Sequence, residues 1–362
     1  MSRKNWSWVH VSCATVVVVF VVLFVSTVST LLAAEPAESH LTNIRQLTTG
    51  GKSAEAYFSS DGDKLIFQST RDSSAHLQQD CYQMYVMDLD GKNIQRVSNG
   101  FGTTTCGYFF PGRRRILFSS THRKDLACPP KLTQGAHYRW ALHDFDIFSY
   151  RIDGREPYRL TTTPGYDAEA TVSFKNKKII FTSMRDGDLD LYTMDLNGTR
   201  VIRLTDDIGY DGGAFFSPDE KRIVYRAFHP TDPVARQQYQ DLLKNNLVEP
   251  SHLEIFIMNA DGSEKRQITK NGAANFAPSF HHDGRRIIFS SNVSHHVEKR
   301  SGPPSFHLYL MNDDGTGMEQ ITHDGHFNSF PMFSPDGTRL VWVSDRQAQP
   351  GEFNVFLADW VP

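Results

Sequence analysis

The stretches GYDAEATVSFKNKKIIF (residues 165–181) and GYDGGAFFSPDEKRIVY (residues 209–225) align without a gap, 44 residues apart. Each reads as an apolar strand, a tight turn and a second apolar strand. Working outward, the unit recurs as YFSSDGDKLIFQS, YFFPGRRRILFSS, PSFHHDGRRIIFSS and PMFSPDGTRLVWVS, giving six copies. A second unit follows each: QMYVMDLDGKNIQRVS, DIFSYRIDGREPYRLT, DLYTMDLNGTRVIRLT, EIFIMNADGSEKRQIT and HLYLMNDDGTGMEQIT. The last copy, NVFLADWVP, holds a third strand and no fourth. Asp-Gly or Asn-Gly between alternating apolar runs is a strong hairpin signal. Two hairpins per repeat make four strands, which bury both faces only by stacking on neighbours. Four strands in roughly 40–50 residues is the period of a propeller blade. The sequence therefore predicts an all-β, six-bladed β-propeller. The missing fourth strand is matched by NIRQLTTG, residues 43–50. This N-terminal strand is expected to complete the last blade and close the ring, which removes free sheet edges.

The chain of 362 residues carries a net charge of −3 and no basic run, which argues against a nucleic-acid surface. Residues 11–34 contain no charged residue, follow Arg3 and Lys4, and precede Glu35. Residues 1–34 therefore read as a signal peptide or a transmembrane anchor, an N-terminal apolar helix in either case. Residues 35–42 form a short linker and 43–362 the propeller, exported to the periplasm or beyond, with inner-membrane anchoring if the run is retained. Cys13 lies in the apolar run. Cys81, Cys106 and Cys128 would then sit in an oxidising compartment, and an odd number allows one internal pair. A bond from Cys106 to Cys128 or to Cys81 would pin a long loop.

The composite pattern FSPDG…I.F.S.RDG…LY.MD.DG….RLT resembles the repeats of the TolB-like six-bladed propeller family. The resemblance covers residues 43–362 and implies a closed propeller that binds partners in the cell envelope. TolB itself is a periplasmic protein of the Tol–Pal system with a separate domain before its propeller. Only a few residues separate the apolar run from the first strand here, so that domain is not expected. Some related propellers are metal-dependent lyases acting on oligogalacturonate through clustered His. The scattered His of this chain do not reproduce that set.

One face of the ring carries short Asp-Gly turns, whose residues tolerate positive φ and need no functional reading. The opposite face carries long loops, which place function on a rigid scaffold. They are residues 71–79, 122–143, 229–251 and 292–305. In the third of these, Thr231 or Asp232 caps and Pro233 opens a short helix with Ala235, Tyr239, Leu242 and Leu243 on one side. Connections into the inner strands ring the pore mouth on the looped face. They set Asp167, Glu169 and Asp211 in an acidic arc, with Glu55 beside it and Asn275 and Asn328 opposite. Second-strand ends add Arg185, Arg226, His122 and His229. Three roles fit this set: a cation site, a site for a polar ligand such as a sugar or peptide end, or a self-satisfied salt-bridge ring. Asp167, Asp211 and His229 are the candidate ligands for a divalent metal. His137, His143, Asp144 and Asp146 form a second polar cluster, read as a metal or acid–base site or as a loop anchored by aromatics. No Gly-x-Ser-x-Gly elbow, His-Glu-x-x-His helix or phosphate loop is present, and no cofactor is expected. The sequence favours an exported module binding an envelope protein or peptide. The alternative is a metal-dependent hydrolase or lyase acting on a polymeric sugar or peptide at the pore mouth.

Overall fold

The computed structural model describes residues 38–71, 81–112, 114–133, 137–153, 155–298 and 303–362. The apolar run and Cys13, on which the signal or anchor reading rests, lie outside these residues. Among those described, no helix is long and apolar enough to cross a membrane. The fold is a six-bladed β-propeller, six four-stranded antiparallel sheets each contributing one inner strand to a central channel. The inner strands are Ser53–Phe58, Thr104–Phe109, Asp167–Ser173, Tyr210–Phe216, Asn275–Phe280 and Asn328–Phe333, numbered here as blades 1 to 6. The outermost strands of blades 1 to 5 are two residues long. In blade 6 the outer position is held by Leu41–Gln46, antiparallel to Asn354–Trp360. This strand begins inside the expected linker because Leu41 is buried opposite Trp360. Glu38, just before it, receives two 2.9 Å bonds from Arg346 and one of 2.8 Å from the His323 N–H.

The repeat has a physical basis at each level. In the first hairpin of blade 6, Ser334 Oγ donates to Asp336 Oδ1 at 2.6 Å and accepts from Arg339 N–H, and Gly337 takes φ +72°. Ser59–Asp61 and Ser217–Asp219 repeat the first bond. Each second strand then buries one large aromatic completely: Phe67, Phe118, Phe181, Tyr225, Phe289 and Trp342. Each packs on a third-strand ring of its own blade at 4.9–6.0 Å. Such pairs contribute about 0.5–1.5 kcal/mol each beyond the area they bury.

Blades are latched by one recurrent backbone bond. The first N–H of the blade-1, 2, 3, 5 and 6 inner strands donates to the preceding blade's third-strand region (Ser53, Thr104, Asp167, Asn275, Asn328). Asp211 N–H does so in blade 4, to Leu189 O.

The looped face carries a helix, Pro233–Lys244, capped by Asp232 Oδ1 on the Val234 and Ala235 N–H groups. Its buried residues, Tyr239 and Leu243, join a core with Leu142, Phe145, Tyr166 and Tyr210. This is the inward packing its sequence pattern implies.

Candidate functional site: a roofed channel mouth

Every inner strand contains a register break two residues after the latch. The residue at the break has positive φ in all six blades: Glu55 +50°, Cys106 +53°, Glu169 +58°, Gly213 +59°, Ala277 +50° and Phe330 +54°. A bulge of this kind re-aims a side chain, and a non-glycine residue there is strained. Here it turns one residue per blade into the channel, and these six line a constricted space of about 20 Å³.

Blades 3 and 4 explain the difference between their two inner strands. Glu169 of blade 3 leans toward blade 4. It accepts from Thr182 Oγ1 (2.8 Å), Tyr210 OH (2.9 Å) and Gly213 N–H (2.8 Å), and pairs with Arg226 Nη2. Arg226 also donates to Tyr210 OH from Nε (3.0 Å) and Nη2 (2.7 Å). Space for this cluster comes from Gly212 and Gly213. A Cβ on Gly213 would stand 2.5 Å from Arg226 Nη1, and one on Gly212 would overlap Tyr210 and Glu169. Burial opposes the Arg226 charge, but Glu169 and Tyr210 outweigh it and push its pKa up. Trp140 closes over the guanidinium, 5.1 Å from its ring centre.

Glu55 of blade 1 holds the same place but lacks that partner. Among the described residues its carboxyl meets the thiol and N–H of Cys106, and that N–H already donates to Gln68 Oε1 at 3.0 Å. Burial raises its pKa most; the Cys106 contact and the more distant Arg226 charge offset part of this and Glu169 adds to it, leaving the group at about 7.

Above the constriction the channel widens to a chamber of about 520 Å³. Its roof comes from the blade-2 and blade-4 loops. Trp140–Ala141 pairs antiparallel with Leu247–Val248, and Leu142 N–H donates to Asn246 O. Glu249 accepts from His137 at 3.1 Å and lies 4.0 Å from Arg139. A Cys81–Cys128 disulfide, Cα atoms 5.7 Å apart, pins the start of the roof. The opposite mouth, on the turn face, is a smaller hollow of about 250 Å³ lined by rings including Tyr108, Phe174, Phe215 and Phe280.

The structure divides the residues singled out from sequence into two groups. Glu169 and Arg226 meet in the channel. Asp167, Asp211, Asn275 and Asn328 do not line it: they are the latch residues, buried in the seams between blades. Asp167 accepts from Arg185 at 3.1 Å, Asp211 bonds His229 at 3.0 Å, and Asn275 accepts from Ser291 at 2.6 Å. Asn328 Oδ1 lies 3.4 Å from Arg346. Arg185 lies over the Phe181 and Tyr192 rings, the His122 ring tilts against Phe148, and His229 meets Phe256 edge-on. Burial pushes His122 down to about 4. Burial would also depress His229, but Asp211 holds it above the usual value. The two aspartates of the acidic arc thus become seam residues while Glu169 stays in the channel, because the bulge hands the channel position to the residue two places on.

The cysteine pairing also differs from expectation. Cys106 is free and buried, since its bulge aims the thiol into the channel. The second polar cluster disperses: Asp144 binds Lys124 and Gly165 N–H, Asp146 binds Arg159, and His137 turns to Glu249. The residues missed at the sequence level are Tyr210, Trp140 and the Gly212–Gly213 pair. Their signal was the Gly-Gly that replaces Ala-Glu between the two opening stretches.

No family model matches the chain. A 91-residue stretch is 30% identical to an uncharacterised protein of Agrobacterium fabrum, and a 76-residue stretch is 36% identical to a TolB homolog of Chlorobium luteolum. These cover 25% and 21% of the chain, and only 28% and 17% of those relatives' lengths. Among solved structures, TolB from Agrobacterium tumefaciens superposes with a TM-score of 0.55 at 18% identity, covering 88% of this chain and 97% of that one. TolB from Acinetobacter baumannii gives 0.57 at 17% identity over 83% and 65%. An oligogalacturonate lyase in complex with manganese gives 0.51 at 15% identity over 87% and 79%. Among the described residues no three His, Cys, Asp or Glu side chains are grouped so as to hold a metal ion, and Asp167 is bonded to an arginine, away from the Asp211–His229 pair. By its repeats and its six sheets the chain has the six-bladed β-propeller fold, and the solved structures that share this fold with it include TolB proteins.

Proposed function

We infer that the chain is an exported binding module of the cell envelope, receiving a protein or peptide partner at the roofed chamber. The chamber itself carries this reading. It is wide enough for side chains, floored by charged groups, walled by rings such as Tyr166, Phe276 and Phe330, and roofed by two loops that interrupt an otherwise regular repeat. Pockets that combine apolar walls with a few converging polar groups are the usual binding sites of such scaffolds. Export is supported by the apolar run after Arg3 and Lys4 and by the disulfide, which suits an oxidising compartment. On the same reading, residues 41–46 close the ring, so that partner binding meets a rigid rim. The envelope role follows the TolB likeness.

The test is photo-crosslinking in the host envelope from two positions. Tyr138 lies on the chamber and is 61% exposed; His282 is exposed at the opposite mouth. A crosslinker at 138 is expected to give a discrete adduct, and one at 282 none. Adducts only from 282, or from neither position, would refute the reading.

A further inference from the structure

We propose that the chamber seats a lysine side chain of its ligand, with the ammonium group on the Glu55 carboxylate. The proposal rests on the reading of the chamber as the binding site and names its chemistry.

Three observations converge on it. The first is direction: the bulge at φ +50° aims Glu55 into the constriction, at the foot of the chamber. The second is partner supply. Glu169 is filled by Thr182, Tyr210, Gly213 and Arg226, whereas no cation forms an ion pair with Glu55 among the described residues. A thiol is a weak donor, and Glu55 is half-buried, so its charge lacks both full hydration and a paired cation. The third is shape. A space of about 20 Å³ below a chamber of about 520 Å³ admits a slender stem, not a bulky group. Phe330 and Tyr166 offer apolar walls to a four-carbon stem.

The surrounding charges refine the ligand. Glu55 is faced by Cys106, Tyr57, Glu169 and Arg226 at the constriction, and Arg226 is committed to Glu169. Lys52, Lys131 and Arg139 line the chamber, beside His143, which burial keeps neutral. These cations disfavour a polyamine and suit a single ammonium whose other end is neutral or anionic. Ionised Glu55 is the binding form. With its carboxyl at about 7, the ionised fraction rises about tenfold between pH 6 and pH 8, and affinity should follow it.

The probes are Nα-acetyl-lysine, its uncharged isostere Nα-acetyl-norleucine, and spermidine, titrated by calorimetry into the purified protein. Nα-acetyl-lysine is expected to bind, about tenfold more tightly at pH 8 than at pH 6. The isostere should bind at least tenfold more weakly, and Glu55→Gln should remove the difference between them. Melting curves show whether the variant is folded; Glu55→Gln should melt no lower than the parent at pH 8. Equal binding of the two acetyl amino acids, unchanged binding in a folded Glu55→Gln, or spermidine as the best ligand would each overturn the proposal. Loss of lysine binding with the Tyr138 adduct retained would defeat this inference alone. Lysine binding without the adduct would defeat the partner reading alone.

Discussion

Glu169 and Glu55 occupy the same bulge in two blades, at φ +58° and +50°, and face the same channel. What differs is the next blade. Blade 4 presents Gly212, Gly213 and Arg226, so Glu169 becomes half of a buried cross-brace. Blade 2 presents Cys106 at the bulge and Ser119 opposite Thr105, where blade 4 pairs Arg226 with Gly212. No guanidinium reaches Glu55 from there. One backbone device therefore yields a structural brace or an open acid, depending on two or three neighbouring side chains.

The comparison breaks most visibly at the brace. Glu169→Ala leaves the Arg226 charge buried beside Trp140 without its carboxylate, and truncating one partner of a buried pair costs about 3–5 kcal/mol. Denaturant unfolding should show a loss of that size. A loss below about 1 kcal/mol would mean that Glu169 is as open as Glu55. At the small end stands Asp211→Asn. Blades 5 and 6 already place Asn275 and Asn328 at the latch position, so an amide fits the seam. Its effect on unfolding should stay within about 1 kcal/mol, because burial already disfavours the Asp211 charge and the amide oxygen can still accept from His229. Binding of Nα-acetyl-lysine should not change. A loss of binding would restore the seam residues as ligand contacts.

The propeller was legible because its evidence is repeated: Asp-Gly turns, alternating strands and a third strand left without a fourth. The helix was legible from Asp232 and Pro233. The candidate site was legible in its residue types and not in their directions. Strand alternation assigns Asp167 and Glu169 to one face, but the intervening bulge puts the first in a seam and the second in the channel. The same bulge aimed Cys106 away from Cys81 and Cys128, whose proximity depends on two loop ends folding together. The pairing of Trp140–Ala141 with Leu247–Val248 joins insertions about a hundred residues apart, and no local pattern announces it.

The most direct measurement is the melting temperature of Glu55→Gln against the parent protein across pH 5 to 9. A carboxyl raised to about 7 in the folded state contributes stability at low pH, where it is protonated. That contribution is lost as pH rises through about 7. The glutamine variant should match the parent at pH 5 and become more stable above pH 7, by about 1–3 kcal/mol. A difference that is constant with pH, or a parent that stays the more stable protein above pH 7, would contradict the account of Glu55 as the open acid of the ring.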